Sequence, residues 1–225
     1  MGAKKTYHHG NLRLMLLETA AEMISSEGLK KLTLRELSQR VGVSRTAPYR
    51  HFANKNSLLF AIAEEGFKKL TQRYRKMNRN KSLSSLSRLQ NNGLAYIEFA
   101  VKNPGTYRLM FGHEITQQKR SPELHAAAKE TFDEFLIAVE AFQKENKIKS
   151  DDIIILANFL WATVHGLATL LIDGHIQLTN GNHGMPTLLT NEIAKSVDSV
   201  PSMIAFSKKT LIDFWLMISN GYSIK

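Results

Sequence analysis

The chain has 225 residues, 43% apolar and 22% charged, which fits a soluble globular protein able to bury its own core and excludes a disordered or fibrous one. It has no cysteine, so disulfides, thiol nucleophiles and cysteine-based zinc sites are ruled out, and a reducing cytoplasm suits it. The whole formal charge of +10 falls in residues 1–80 while residues 81–225 balance, so the first third points to a polyanion, nucleic acid or an anionic membrane surface.

In chain order, almost every segment has helical spacing and none sustains alternation, which predicts an all-α fold. The opening MGAKKTYHHGN is polar and basic with no apolar stretch, so no secretory signal is read there. From Asn11 to Glu27, apolar residues recur at Leu12, Leu16, Ala20, Met23 and Ile24, giving a first helix that Gly28 stops. A short second helix opens at Thr33, where Thr33-x-x-Glu36 is a capping box with Leu32 and Leu37 at the staple positions, and it stops at Gly42. Ser44 caps a third short helix ending near Phe52, with Pro48 one turn inside it. Asn54 caps a fourth that continues to about residue 78.

The polar stretch Asn78–Ser87 is the expected break. Leu89–Lys102 is helical, and Pro104 starts a short helix through Phe111, followed by a loop at Gly112–Arg120. Ser121-Pro122-Glu123 supplies cap, proline and first-turn acid for a long helix to about Asn146. The run Ile153–Ile172 is long enough to cross a bilayer. It carries Asn158, Thr163, His165 and Thr169 between Asp152 and Asp173, however, so it reads as a core or subunit-interface helix. A loop at His175–Thr187, a short helix at Leu188–Val197 and a last helix from Pro201 to about Asn220 complete the chain.

Two short helices joined by Gly42-Val43-Ser44 have helix-turn-helix dimensions. Arg35, Arg45 and Lys55 each fall in the first turn of a successive helix, where a cation opposes the macrodipole by about 0.3–1 kcal/mol. Three in succession make physical sense if each helix N-terminus and its basic side chain share an anion, as phosphates are held. Small residues opening Ser44–Phe52 admit a backbone to the floor of a major groove, where Arg45 and Thr46 reach base edges. Tyr49 and His51 offer donors to flanking phosphates, and Phe52 packs inward. No HExxH, phosphate-cradling glycine loop or Ser/His/Asp set is present, so an enzyme is not expected, nor a cofactor. The pair His8-His9 is too few ligands for a metal site.

Residues 11–59 resemble the DNA-binding module of TetR-type transcriptional regulators, through ETAAEMISSEG, LTLRELSQRVGVS, YRHF and NKNSLL. The resemblance implies a homodimer with the third helix of each subunit in a major groove of a palindromic operator. It makes Thr33, Arg35, Ser44, Tyr49, His51 and Lys55 backbone contacts, and Arg45, Thr46, Ala47 and Arg50 base readers. Pro48 departs from the small or aliphatic residue commoner at its position. Trp161 with His165-Gly166, and the run from Asn103-Pro104 to Tyr107-Arg108-Leu109-Met110-Phe111-Gly112, resemble the Trp-His-Gly subfamily of C-terminal domains. The expected division is a DNA-binding domain at 1–57, a connecting helix at 55–78, and an effector-binding and dimerisation domain at 79–225.

At 100° per residue, Asn158, Ala162, His165, Gly166 and Thr169 share one side of the apolar helix. Such a stripe permits close approach of another helix, and Leu211, Trp215 and Ile218 form a second seam on the last helix. Together they are the expected dimer interface. Tyr96, Phe99, Tyr107, Met110 and Phe111 are candidate walls of an effector pocket. Phe132, Phe135, Trp161 and His165 complete the set, which suits a lipophilic molecule. The expected function is a cytoplasmic repressor released from its operator by that molecule. The alternative is a DNA-bound adaptor whose C-terminal region recruits a protein.

Overall fold

Capping and turn chemistry fix most helix ends in the computed structural model, which describes residues 12–112, 121–145, 152–178 and 184–186. Seven α-helices appear among them: α1 Leu12–Glu27, α2 Leu34–Val41, α3 Lys55–Arg79, α4 Ser85–Lys102, α5 Pro104–Phe111, α6 Pro122–Glu145 and α7 Ile153–Ile172. Thr33 caps α2 by accepting the Glu36 N–H at 3.0 Å, and Gly42 ends it at φ 77°, a left-handed conformation that glycine adopts without a Cβ clash. Ser84 caps α4, Ser121 accepts the Leu124 N–H at 3.2 Å, and Asp152 accepts the Ile154 N–H at 2.8 Å at the start of α7.

Helix α4 begins at Ser85, inside the expected break and four residues before Leu89, because Ser84 caps it, and two further stretches depart from the expectation. The third helix is not an α-helix: Arg45–Ala47 form a turn and Pro48–Arg50 a single 3₁₀ turn. Pro48 has no N–H to give the Ser44 carbonyl, so that carbonyl takes the Ala47 N–H at 3.0 Å instead and the coil tightens. Beyond α7, part of the expected loop is a two-stranded antiparallel hairpin, β1 Ile176–Leu178 and β2 Gly184–Pro186, with Ile176 opposite Pro186. Three-residue strands are too short to register as alternation. The expected helices at Leu188–Val197 and Pro201–Asn220 lie outside the described residues.

The described chain forms two compact units, one running to Gly66 and taking in Gly105–His125, the other comprising Phe67–Pro104 and the residues from Ala126 on. In the first, Leu16, Met23, Leu32, Leu37 and Leu58 are fully enclosed, with Phe52 among the buried residues. The staple residues Leu32 and Leu37 thus fix the entry to α2 from within the core. Here α5 lies close against α1 and α3: a Cβ on Gly105 would come within 2.9 Å of Ile24 Cγ2, and one on Gly66 within 2.6 Å of Met110 Sδ. In the second unit α4 packs against α7, which buries Ala157, Leu160, Val164, Ala168 and Leu171 along one face. The buried Thr71 and Thr131 hydroxyls meet at 2.7 Å, and Arg75 reaches Glu134 at 2.7 Å and Glu130 at 2.5 Å, joining α3 to α6.

Candidate nucleic-acid interface

The tightened turn after α2 sorts its side chains into two sets. Ala47, Pro48 and Phe52 are buried, while Ser44, Arg45, Thr46, Tyr49, Arg50 and His51 are exposed. Tyr49 is 57% exposed, an unusual fraction for an aromatic side chain in a well-packed unit. Ala47, expected among the base readers, turns its methyl inward and so does not share the exposed face. The burial of Ala47, Pro48 and Phe52 holds the turn from behind; the exposed set carries donors and acceptors in front. Ser44 and Thr46 hydroxyls lie 3.2 Å apart.

Thr33 and Arg35 are exposed at the first turn of α2, with the Thr33 hydroxyl occupied by the Glu36 N–H. Lys55 is the first residue of α3, and its Nζ donates to the Leu29 carbonyl at 2.8 Å, tying the α1–α2 loop to that helix end. Two of the three cations therefore stand at true α-helix N-termini, and Arg45 stands in a turn instead. The Arg40 guanidinium pairs with Glu27 at 2.5 Å and clamps α2 to α1. One contact escaped the sequence reading: the Arg13 guanidinium sits 5.7 Å from the Phe52 ring centroid, bringing the start of α1 to the residue that closes the exposed turn. No spacing rule links positions 13 and 52.

The candidate effector residues divide between the units. Tyr107, Met110 and Phe111 belong to the first, with the Tyr107 and Phe111 rings 5.1 Å apart. In the second, the Tyr96 hydroxyl and His165 Nδ1 lie 2.7 Å apart and the Trp161 and His165 rings 5.6 Å apart. Phe135 is buried between Phe132 and Tyr74, with ring centroids at 6.3 and 6.2 Å, and Phe99 is buried in α4. Burial holds the His165 imidazole below its ordinary pKa, so the neutral ring is favoured beside Tyr96.

Of the expected dimer-interface residues, Asn158 and Ala162 are exposed and Gly166 and Thr169 half-buried, all away from the buried face of α7. Among the described residues, no atom lies within 4 Å of where a Gly166 Cβ would be. Ile155, 67% exposed, and Phe159 and Leu170, about two-fifths exposed, lie on that same side of the helix. Leu211, Trp215 and Ile218 lie outside the described residues. Helix α7 is long and apolar enough to cross a membrane, and its packed face lies against α4.

Residues 16–62 match the family described as bacterial regulatory proteins, tetR family, and residues 89–185 match the tetracyclin repressor-like C-terminal domain. The nucleoid occlusion factor SlmA of Pectobacterium carotovorum subsp. carotovorum is 28% identical over 176 residues, covering 76% of this chain and 87% of that protein. SlmA of Sodalis glossinidius is 27% identical over 162 residues, 72% of this chain and 80% of its own. Among solved structures, a protein of unknown function from Rhodococcus sp. RHA1 is similar at TM-score 0.70 and 27% identity, covering 95% of this chain and 98% of that one. The TetR family transcriptional regulator PfmR from Thermus thermophilus shares the fold at TM-score 0.62 and 14% identity, with 92% and 98% covered.

Proposed function

We infer, from a chain that carries both the N-terminal and the C-terminal domain of the TetR family, that it is a dimeric, sequence-specific DNA-binding repressor. The observation that carries the reading is the exposed set Arg45, Thr46, Tyr49, Arg50 and His51, displayed on one turn whose other side is locked into the core. Arg45, Thr46 and Arg50 read base edges; Thr33, Arg35, Ser44, Tyr49, His51 and Lys55 hold the sugar–phosphate backbone. Thr33 contributes through the α2 N-terminus it caps, and Lys55 through the N–H donors left after its bond to Leu29. The DNA-binding domain is taken as 1–57, the connection as 55–78, and the remainder as the effector and dimerisation domain.

A small lipophilic effector bound among the aromatic residues of the C-terminal domain would shift the protein between a form whose two reading turns fit the operator and one whose turns do not. Such coupling is typically about 1–3 kcal/mol. Trp161, His165 and Gly166 on α7 are the residues that a Trp-His-Gly subfamily assignment rests on. A second reading, a DNA-bound adaptor that recruits a protein, is favoured by the nucleoid occlusion factors among the relatives.

Selection of bound duplexes from a random pool tests the first part. A palindromic consensus is expected, and Arg45→Ala should flatten the preference at one base position while retaining backbone affinity. A pool that yields no consensus sinks the sequence-specific reading. Small-molecule release of the selected duplex then favours the effector, whereas capture of a defined protein on the DNA-bound form, with no releasing molecule, favours the adaptor.

A further inference from the structure

The half of α3 that lies in the second unit carries a charge pattern the reading turn does not use. Between Phe67 and Lys81 stand Lys68, Lys69, Arg73, Arg75, Lys76, Arg79 and Lys81, with no Asp or Glu among them. The cations at the two flanks of the helix have acidic neighbours. Arg75 is held by Glu134 and Glu130 of α6, and Arg73 lies 3.9 Å from Glu98 of α4, which Lys102 shares at 3.7 Å. Between these flanks Lys69, Gln72, Lys76 and Arg79 follow one another at three-, four- and three-residue steps, which puts them on one face. All four are exposed, and among the described residues no acidic side chain pairs with Lys69, Lys76 or Arg79. The stripe extends about 15 Å along the helix at 1.5 Å per residue.

Like charges three and four apart weaken a helix, and Glu98, Glu130 and Glu134, the acids of α4 and α6 that reach this half of α3, pair with Arg73 and Arg75 and not with the stripe. Lys76 and Arg79 are favoured at the helix C-terminus, but Lys69 stands in mid-helix where the macrodipole gives it nothing. The stripe holds cations and one amide and no exposed apolar or aromatic residue. A membrane-surface helix needs an apolar face to insert, and a protein interface centres on aromatic anchors; both are missing here. A sugar–phosphate backbone needs only charge and hydrogen-bond donors.

We propose that Lys69, Gln72, Lys76 and Arg79 form a second, sequence-independent contact for the backbone of duplex DNA, separate from the turn at Arg45–His51. The proposal rests on the DNA-binding reading for its partner, and one experiment separates the two. Full-length wild type and the triple variant Lys69→Gln/Lys76→Gln/Arg79→Gln are titrated with a random duplex of about 60 base pairs across a salt series by fluorescence anisotropy, beside Arg45→Ala. Glutamine matches lysine and arginine in helix propensity, so the exposed helix is retained. At about 0.9 per phosphate contact, the log–log salt slope of the triple variant should be smaller by roughly 2–3, with the ratio of selected to random affinity unchanged. Wild type that ignores every duplex in dilute buffer overturns the DNA-binding reading. Wild type that binds with a slope the triple variant shares overturns this proposal alone. So does a triple variant that keeps its duplex slope but loses affinity for poly-glutamate or phosphatidylglycerol vesicles, because the stripe then serves another polyanion.

Discussion

His165 and Lys55 show how one side chain can serve the fold while it is being read as a functional residue. Burial lowers the His165 pKa, so the folded state favours the neutral ring. Above the unfolded value of about 6.5 both states are neutral and the group leaves stability unchanged with pH. As pH falls through that value the unfolded chain takes the proton first, so stability drops until the folded pKa is passed. Thermal melts between about pH 7.5 and 5 should therefore fall further for wild type than for His165→Gln; equal falls would remove the burial effect. Lys55→Gln should weaken selected and random duplexes by a similar factor. Losing its bond to the Leu29 carbonyl should also cost about 1.5–3 kcal/mol in urea unfolding, the range for a charged donor. Loss confined to the selected duplex would make Lys55 a base reader instead. The exposed cations were legible as residues; the carbonyl that Lys55 meets, 26 positions away, was not.

At the scale of elements, two glycines do different work, and one pair of substitutions separates them. Gly42 ends α2 at positive φ with no described residue within 4 Å of its missing Cβ, so Gly42→Ala should cost about 1 kcal/mol and Gly42→Asn less, since asparagine tolerates that conformation. Gly66 lies inside α3, and a methyl group placed on it would sit 2.6 Å from Met110 Sδ and 2.8 Å from Thr106 Cγ2. Alanine there overpacks α5 by about 1–3 kcal/mol, and asparagine is worse. Chemical unfolding of the four variants checks the ordering; rescue by asparagine at both sites would contradict it. The stop at Gly42 was visible because it follows an apolar run and a capping box. The close approach at Gly66 was invisible because its partner, α5, is distant in sequence. Pro48 was visible as an irregularity, but the 3₁₀ turn came from one lost N–H forcing the Ser44 carbonyl to a nearer donor.

For the molecule as a whole, the proposed dimer has the widest consequences. The side of α7 opposite its buried face carries Asn158 and Ala162, both exposed, with half-buried Gly166 and Thr169. Because a Cβ at Gly166 meets no described residue within 4 Å, Ala162→Leu/Gly166→Leu should leave the subunit folded while blocking close helix approach. Sedimentation is expected to shift from dimer to monomer, and affinity for a duplex with two half-sites to fall to that for one. Half-sites should lie about 34–36 Å apart, one helical turn, or a multiple of it. A double variant that still sediments as a dimer would place the pairing face elsewhere.

Local chemistry determined what the sequence could determine alone. The caps at Thr33, Ser121 and Asp152, the stops at Gly28, Gly42 and Gly174, and the positive charge of residues 1–80 all depend on neighbours within a few positions. The helical order and the exposed basic turn followed from them. Tertiary structure alone decided that Ala47 faces the core, that Arg13 covers Phe52, that Tyr96 meets His165, and that Arg73 and Arg75 meet acids while, among the described residues, Lys69, Lys76 and Arg79 do not. Each is a contact between segments far apart along the chain, and periodicity gives the face a residue occupies without naming what that face meets.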